Sequence, residues 1–193
     1  MRSLPFLFVA IVAIAGIEGC DGDTALPVEA ACNPLGATGC LTPWPSSSLA
    51  TTGVDPATPI TIELEAWIAP ASLALPDATV LLDLGTGQRI AHVATLEARP
   101  DDAQAIRISP SAPLACGHRY AVAITNAVVD LDGDEIESPP GFTALVKERY
   151  TDHERLEELR PHFTDTLDAL EDAGLDLDAL VVAWDFSTRA PDR

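Results

Sequence analysis

The clearest pattern in the chain is an alternation of apolar and polar residues that begins at Pro59. In PITIELEAWI, the side chains alternate between two sets, Ile60, Ile62, Leu64 and Ala66 in one and Thr61, Glu63, Glu65 and Trp67 in the other. A period of two places alternate side chains on opposite faces of a β-strand. The segment therefore predicts a strand with one buried face.

Similar short segments recur along the rest of the chain. They are TVLLDL (79–84), RIAHVATLEA (89–98), QAIRISP (104–110), RYAVAITNAVV (119–129) and VVAWDFST (181–188). Turn-forming stretches such as LPD, GTG, SPSAP and DGD separate many of them. Several short strands at this spacing predict an antiparallel β-sandwich. Trp67 and Trp184 lie on predicted strands, and we expect both in the core.

One segment near the C-terminus has a helical period instead. Its apolar residues form a single stripe at helical spacing, made of Leu156, Leu159, Phe163, Leu167 and Leu170. Thr151 and Glu154 predict a capping box at its start, and Gly174 predicts its end. Pro161 is expected to kink or split the helix, because its ring opposes the carbonyl four residues earlier. The predicted fold is therefore mainly β, with one Leu-rich helical insert at about 151–174.

The N-terminal residues predict an export signal. A positive charge at Arg2 precedes an apolar run over residues 4–17, which predicts a signal peptide at 1–19. The ending IEGC resembles the lipobox of bacterial lipoproteins, although Glu18 is unusual in that motif. The resemblance implies a lipidated Cys20 and a protein anchored by lipid to a bacterial membrane, on the periplasmic face or the cell surface. The alternative is an ordinary signal peptide with Cys20 nearby by chance.

Composition divides the remaining chain into a tether and a domain. Residues 20–58 are rich in Pro, Gly, Ser and Thr and predict a lipidated tether, whereas residues 59–193 carry the periodic segments. The formal net charge is −19. Such a charge argues against nucleic acid as a partner, because phosphates would be repelled. It also argues against a domain that lies flat on anionic lipid.

The cysteines fit an oxidising compartment. Cys32 and Cys40 flank a short loop that contains Pro and Gly, and we expect them to form a disulfide bond. A metal site is the rival interpretation, but the spacing does not suit a zinc knuckle and no histidine is near in sequence. Cys116 is then expected to be a buried free thiol. A nucleophile is the less favoured alternative, because His118 alone does not complete a catalytic dyad.

The stretch VVDLDGDEI, residues 128–136, raises the question of a calcium site. An EF-hand loop that began at Asp130 would need Gly at position 6 and Glu at position 12, and this loop has neither. A hairpin with a type I′ turn at Asp132 and Gly133 accounts for the same residues. The alternative is a weak calcium site formed by Asp130, Asp132 and Asp134. Apart from that calcium, no cofactor is predicted.

The other polar residues favour structural roles. His92 is expected to be half-buried on its strand, and His153 and His162 are too far apart along the helix to share a metal. Three carboxylates are expected on the solvent face of the helix, those of Asp165, Asp168 and Asp172.

The region SPSAPLACGHRYAVAITNAVVDLDGDEI resembles a bacterial Ig-like domain of surface-layer and secreted proteins. The matching features are a strand that ends on Ser-Pro, a following Pro-Leu, a Tyr-x-Val-x-Ile strand and Asp-x-x-Gly at a hairpin. The residues that carry them are Ser109, Pro110, Pro113, Leu114, Tyr120, Val122, Ile124, Asp130 and Gly133. The closing AWDFST is similar to the terminal aromatic strand of that family. The resemblance implies an Ig-like sandwich.

The order of several motifs also resembles lipase-like bacterial lipoproteins, a family that includes the N-terminal module of extracellular virulence-factor lipases. The motifs include CNPLGATGCLTPWPSS, VLLDLGTGQRIAHVATLEA and VVAWDFST. That module precedes an α/β-hydrolase, but this sequence contains no Gly-x-Ser-x-Gly and so has no nucleophile elbow. We therefore expect a non-catalytic binding or accessory module at the cell envelope. The alternative is an N-terminal fragment or docking subunit of an extracellular lipase or esterase, with that hydrolase or another envelope protein as partner.

Overall fold

The computed structural model describes residues 53–64, 66–99, 104–150 and 154–191. The strands in these ranges are β1 (Ile60–Glu63), β2 (Thr79–Asp83), β3 (Gln88–Arg89), β4 (His92–Ala98), β5 (Gln104–Pro110), β6 (Arg119–Thr125) and β7 (Leu180–Ser187). The helices are α1 (Pro140–Val146) and α2 (Glu154–Asp172), both between β6 and β7. The signal peptide predicted at 1–19, with Cys20, lies outside the described residues.

The strands form two antiparallel sheets. One has the order β1-β5-β4 and the other has the order β3-β2-β6-β7. Buried apolar side chains of both sheets belong to one core, among them Ile60, Ile62, Ile106 and Ile108 of the first sheet and Tyr120, Val122, Trp184 and Phe186 of the second. The predicted antiparallel sandwich with a helical insert is confirmed.

One predicted strand is two strands in different sheets. Residues 89–98 look continuous in sequence, yet β3 pairs with β2 and β4 pairs with β5. The chain crosses between the sheets at Ile90 and Ala91. The Ile90 N–H donates to the Leu81 carbonyl at 2.7 Å, and the Ala91 carbonyl accepts from the Ser111 N–H at 2.8 Å. The apolar pattern does not reveal such a crossing, because both halves are extended.

The last residues of the segment predicted as a tether pack on the domain. Val54 is buried and forms a parallel bridge with Thr188, just after β7. The Val54 N–H donates to the Ser187 carbonyl at 2.8 Å, and the Val54 carbonyl accepts from the Arg189 N–H at 2.7 Å. The remainder of that segment, residues 20–52, lies outside the described residues.

Helix α2 follows its sequence pattern closely. Its apolar stripe packs in the core, with Leu159 only partly buried. Gly174 ends the helix with φ of 86°, its N–H donates to Glu171, and the Leu175 N–H donates to Leu170, which is a Schellman motif. Pro161 lies inside one continuous helix and does not split it. The predicted cap residue Thr151 is outside the described residues.

Helix α1, which the pattern did not predict, ends in the same motif without a glycine. Glu148 has φ of 51°, its N–H donates to Leu145, and the Arg149 N–H donates to Ala144. A side chain with a Cβ costs about 1 kcal/mol in this left-handed conformation. Glu148→Gly is therefore expected to raise the free energy of unfolding by about 0.5 kcal/mol after the entropy of glycine in the unfolded chain is subtracted. Urea denaturation measures this.

Two variants serve as controls for that prediction. Glu148→Ala removes the same charge and keeps the strain, so it should not stabilise the protein. Gly174→Ala should lose about 1 kcal/mol through conformation alone, since a Cβ there has nothing within 4 Å. A gain for Glu148→Ala equal to that for Glu148→Gly would mean that charge, and not backbone strain, is the cause.

No helix in the part of the chain that the structure describes is both long and apolar enough to span a membrane.

Candidate functional site

Two aspartates are buried in the larger sheet, and each is hydrogen-bonded to a histidine. Asp83 of β2 is 5% exposed and Asp185 of β7 is 2% exposed. In the strand register, Asp83 is opposite Tyr120, whereas Asp185 is opposite Ala121, the next residue of β6. Because successive side chains alternate, the two carboxylates lie on opposite faces of the sheet.

The Asp83 carboxylate accepts three hydrogen bonds. His118 Nδ1 is 2.8 Å from Oδ2, and the backbone N–H groups of Gly85 and Thr86 donate to Oδ1 at 2.9 and 3.2 Å. An ionised carboxylate only accepts, so the proton is on His118 Nδ1. Burial raises the pKa of Asp83, but the hydrogen bonds from His118, Gly85 and Thr86 outweigh burial and hold this pKa below its ordinary value of 3.8.

The lowered pKa of Asp83 makes the free energy of unfolding depend on pH. Its stabilising contribution is present above the ordinary carboxyl pKa and is lost as pH falls through the lower folded-state pKa. Asp83→Asn is therefore expected to cost about 1–2 kcal/mol at pH 7, and less as pH falls below 4. Urea denaturation at several pH values measures the difference. The exposed Asp165→Asn is the control, and a pH-independent cost at Asp83 would contradict the prediction.

The Asp185 carboxylate joins the sheet to helix α2. Arg119 Nε donates to Asp185 Oδ2 at 2.6 Å, and His162 Nε2 donates to Oδ1 at 2.8 Å. Arg119 Nη2 donates to Thr166 Oγ1 at 2.8 Å. Since His162 Nε2 gives its proton to the carboxylate, Arg119, 3.1 Å away, does not donate to that nitrogen. One carboxylate thus holds β6, β7 and α2 together.

The two Asp–His pairs resemble part of a hydrolase triad, but their surroundings are structural. Helix α2 lies over the sheet face of Ala121, Ala123 and Ala183, whose small side chains allow a close approach. In the described contacts, neither imidazole meets a serine or cysteine side chain. These hydrogen bonds fix helix α2 and the turn after β2 to the sheet.

A candidate binding surface lies where two loops meet at one end of the sandwich. The loop between β1 and β2 runs beside the acidic loop that follows β6. Ile68 forms an antiparallel bridge with Asp130, and the Leu131 N–H donates to the Trp67 carbonyl at 2.9 Å. The Ala69 N–H donates to the Val129 carbonyl at 3.0 Å. These hydrogen bonds fix the two loops to each other.

Two large apolar side chains are exposed at this junction. Trp67 is 51% exposed and Leu131 is 63% exposed, whereas Trp184 is fully buried. The prediction of a core position is confirmed for Trp184 and wrong for Trp67. The alternation itself carried the signal, because Trp67 shares its phase with Thr61 and Glu63, both on the outward face of β1. We use the name loop-end surface for Trp67, Leu131 and the acidic residues of the second loop. Those acidic residues are Asp130, Asp132, Asp134, Glu135 and Glu137.

The acidic loop is a hairpin turn, but not of the predicted type. The Gly133 N–H donates to the Asp130 carbonyl at 3.1 Å, and the Asp130 N–H donates to the Asp134 carbonyl at 3.0 Å. Gly133 has φ of 86°, whereas Asp132 has no positive φ, and a type I′ turn requires both. The prediction of type I′ is therefore wrong. The loop has three residues and closes with a left-handed glycine.

The carboxylates of this loop have different surroundings. Asp130 Oδ1 accepts from the backbone N–H groups of Asp132 and Asp134, each at 2.9 Å, while both of those side chains are exposed. No group of three or more potential metal-binding side chains occurs in the described ranges. The weak calcium site at Asp130, Asp132 and Asp134 stays a prediction.

Other polar predictions can be compared with the structure. His92 is half-buried as predicted, with Nε2 2.9 Å from Thr79 Oγ1 and Nδ1 2.8 Å from the Ile90 carbonyl. The three helix carboxylates, Asp165, Asp168 and Asp172, are exposed as predicted. His153 lies outside the described residues.

The cysteine predictions have different outcomes. Cys116 is disulfide-bonded, so the prediction of a free thiol is wrong. The other cysteines of the chain, Cys20, Cys32 and Cys40, all lie outside the described residues, and so does the pairing predicted between Cys32 and Cys40. Within the described part, Cys116 is the one cysteine, and no disulfide has both ends there.

Solved structures with some similarity include surface-layer proteins. The structure of surface layer protein SbsC, domains 1–6, is 18% identical and covers 42% of this chain and 11% of its own, with a TM-score of 0.33. The N-terminal part of the bacterial S-layer protein SbsC is 18% identical and covers 41% of this chain and 18% of its own, with a TM-score of 0.32. The chain thus spans less than a fifth of either structure. No curated protein matches the sequence.

A family model gives the clearest match. The bacterial Ig-like domain matches residues 45–144, which include β1 through β6 and the start of α1. That range covers the loop-end surface and half of the chain, while α2 and β7 lie beyond it. No comparison supports the resemblance to lipases. The chain belongs to the bacterial Ig-like domain family.

Proposed function

We propose that the protein is a non-catalytic accessory module of the bacterial cell envelope, exported and held to a membrane by lipid on Cys20. Its Ig-like domain binds another macromolecule through the loop-end surface. The N-terminal sequence supports export, because an apolar run precedes a lipobox-like ending at Cys20. The engagement of the described Asp–His pairs in structural contacts supports a role without catalysis.

The observation that carries the proposal is the exposure of Trp67 beside Leu131 on a fixed backbone. Tryptophan is enriched among the residues that dominate the free energy of protein association. Its large rigid surface contributes most when the backbone below it is already ordered, because little entropy is then lost on binding. Ile68 adds to this order, since its N–H donates to Gln104 Oε1 of β5 at 3.2 Å.

Site-specific photo-crosslinking in intact cells tests the binding role. The photoreactive residue p-benzoylphenylalanine would replace Leu131 in one strain and Tyr150, an exposed aromatic residue next to helix α2, in another. We expect a discrete crosslinked product from position 131 and none from position 150. Equal products at both positions, or none at either, would contradict binding through the loop-end surface. An α/β-hydrolase in the product would favour the role of a docking subunit.

The lipid anchor is tested separately. Incorporation of a labelled fatty acid is expected in the wild-type protein and absent in Cys20→Ser, which should be released from the membrane fraction. Incorporation that persists in Cys20→Ser would overturn the anchor at this residue.

The absence of catalysis is tested with p-nitrophenyl esters and a fluorophosphonate probe. We expect neither turnover of the esters nor labelling by the probe. Turnover that a single serine substitution abolishes would contradict a non-catalytic module.

A further inference from the structure

We propose that the loop-end surface binds a basic segment of a partner protein, in which Lys or Arg side chains flank an apolar side chain. This inference rests on the binding role proposed above and names the chemistry of the partner. It follows from three features of the surface: an exposed apolar centre, a fixed backbone and two loops whose charged residues are all acidic.

The apolar centre consists of two exposed side chains rather than one. Trp67 and Leu131 come from different loops and are linked by the hydrogen bond from the Leu131 N–H to the Trp67 carbonyl. Both side chains are more than half exposed. Burial of two such side chains by an apolar residue of a partner would remove a large area from water, which favours association.

The charged side chains that these two loops contribute are all acidic. Asp132, Asp134, Glu135 and Glu137 are exposed and Asp130 is partly exposed. Neither loop contributes a Lys, Arg or His, over residues 64–78 or 126–139. A rim of one sign around an apolar centre selects a partner of the opposite sign, raises the association rate and repels acidic competitors. Lys and Arg are therefore the complementary groups, and anionic lipid is disfavoured.

A second exposed apolar region lacks this selectivity. Leu75 and Val93 line a groove of about 530 Å³ beside β4. The charged groups there are mixed, since Asp77 forms an ion pair with Arg89 on the same rim. The groove therefore does not specify the charge of an occupant, whereas the loop-end surface does.

The test uses a phage-displayed library of random dodecapeptides, selected on the immobilised mature chain and counter-selected on the Trp67→Ala/Leu131→Ala variant. Enriched peptides are expected to carry net positive charge and at least one aromatic or large aliphatic residue. The dissociation constant of the best peptide is then measured at 50 and 500 mM salt. We expect it to rise at least tenfold with salt and at least tenfold in Trp67→Ala.

A pair of triple variants separates local charge from net charge. Asp132→Asn/Asp134→Asn/Glu135→Gln removes three charges from the loop-end surface, and Asp165→Asn/Asp168→Asn/Asp172→Asn removes three exposed charges from helix α2. The first variant is expected to weaken peptide binding at least tenfold and the second less than threefold. Equal losses would overturn the proposal, because the protein's overall charge would then explain binding.

Further results would also overturn the proposal of a basic partner segment. Enriched peptides that are neutral or acidic, or an absence of enrichment, would overturn the basic partner. If position 131 still gives a discrete crosslink in cells, the binding role stands while this chemistry fails. Wild-type binding to zwitterionic vesicles that is lost in Trp67→Ala would mean a lipid occupant. Thermal stabilisation by calcium alone, lost in the first triple variant, would mean a cation site, and either result would overturn the proposal.

Discussion

Trp184→Ala is expected to lower the free energy of unfolding by about 3–5 kcal/mol, whereas Trp67→Ala should change it by less than about 0.5 kcal/mol. The two residues are the same type, and the sequence placed both on strands. Trp184 lies on β7 opposite Val122 and is fully buried between the sheets, while Trp67 is half exposed. Removal of the buried indole leaves a cavity that the surrounding side chains fill only in part.

Urea denaturation followed by far-ultraviolet circular dichroism measures both variants without relying on tryptophan fluorescence. Trp184→Phe is an informative intermediate, because it keeps most of the apolar volume and should lose less than the alanine variant. A large loss at Trp67 would mean that its side chain stabilises the fold, and the loop-end surface would then be structural. Trp67→Ala would also be unsuitable as a binding variant in that case.

Asp185→Ala is expected to cost about 2–3 kcal/mol, because the partly exposed Arg119 guanidinium loses its charged hydrogen-bond partner beneath helix α2. Arg119 retains Thr166 as an acceptor, but a hydroxyl does not balance the positive charge. His162 also loses its acceptor. The loss should concentrate on the junction between α2 and the sheet, so amide hydrogen exchange in the helix is expected to accelerate more than exchange in β5.

Two variants give this prediction its controls. Asp165→Ala removes an exposed carboxylate of the same helix and should change stability by less than about 0.5 kcal/mol. Asp185→Ala/Arg119→Met removes both charged partners and should be less destabilised than Asp185→Ala alone, because no unpaired charge is left. Additive losses in the double variant would show that the two side chains are not coupled.

Much of the fold was readable in the sequence because its elements rest on local periodicity. The alternation at Ile60 and Ile62 and the helical stripe from Leu156 to Leu170 each define one buried face, and the structure buries those faces. Gly174 marked the end of α2 correctly because a left-handed conformation there favours glycine. The short helix α1 was missed, since its seven residues, which begin at the second of two prolines, carry too little periodic signal.

The polar networks were less accessible to sequence reasoning. Asp83 and His118 are 35 residues apart, and His162 and Asp185 are 23 residues apart. Nothing in the local pattern pairs them, because their contacts depend on the strand register and on where α2 lies across the sheet. His118 was considered only beside Cys116, whereas its partner, Asp83, is on β2.

The loop-end surface was also predicted from the sequence only in part. The acidic turn was predicted from Asp132 and Gly133, but its conformation differed, since a left-handed glycine after a turn and a type I′ turn use similar residues. That Trp67 lies beside Leu131 was not predictable, because these residues are 64 positions apart in the chain and are brought together by backbone hydrogen bonds between two loops.

The sequence by itself determined the class of fold, the helical insert, the acidic charge and the residues that face the core. These follow from periodicity and composition, which act within a few neighbouring residues. Only the tertiary structure decided the crossing between sheets at Ile90, the pairing of buried carboxylates with histidines, and the position of Trp67 beside Leu131. These depend on strand register and loop packing, in which distant residues meet and local patterns carry no information about their partners.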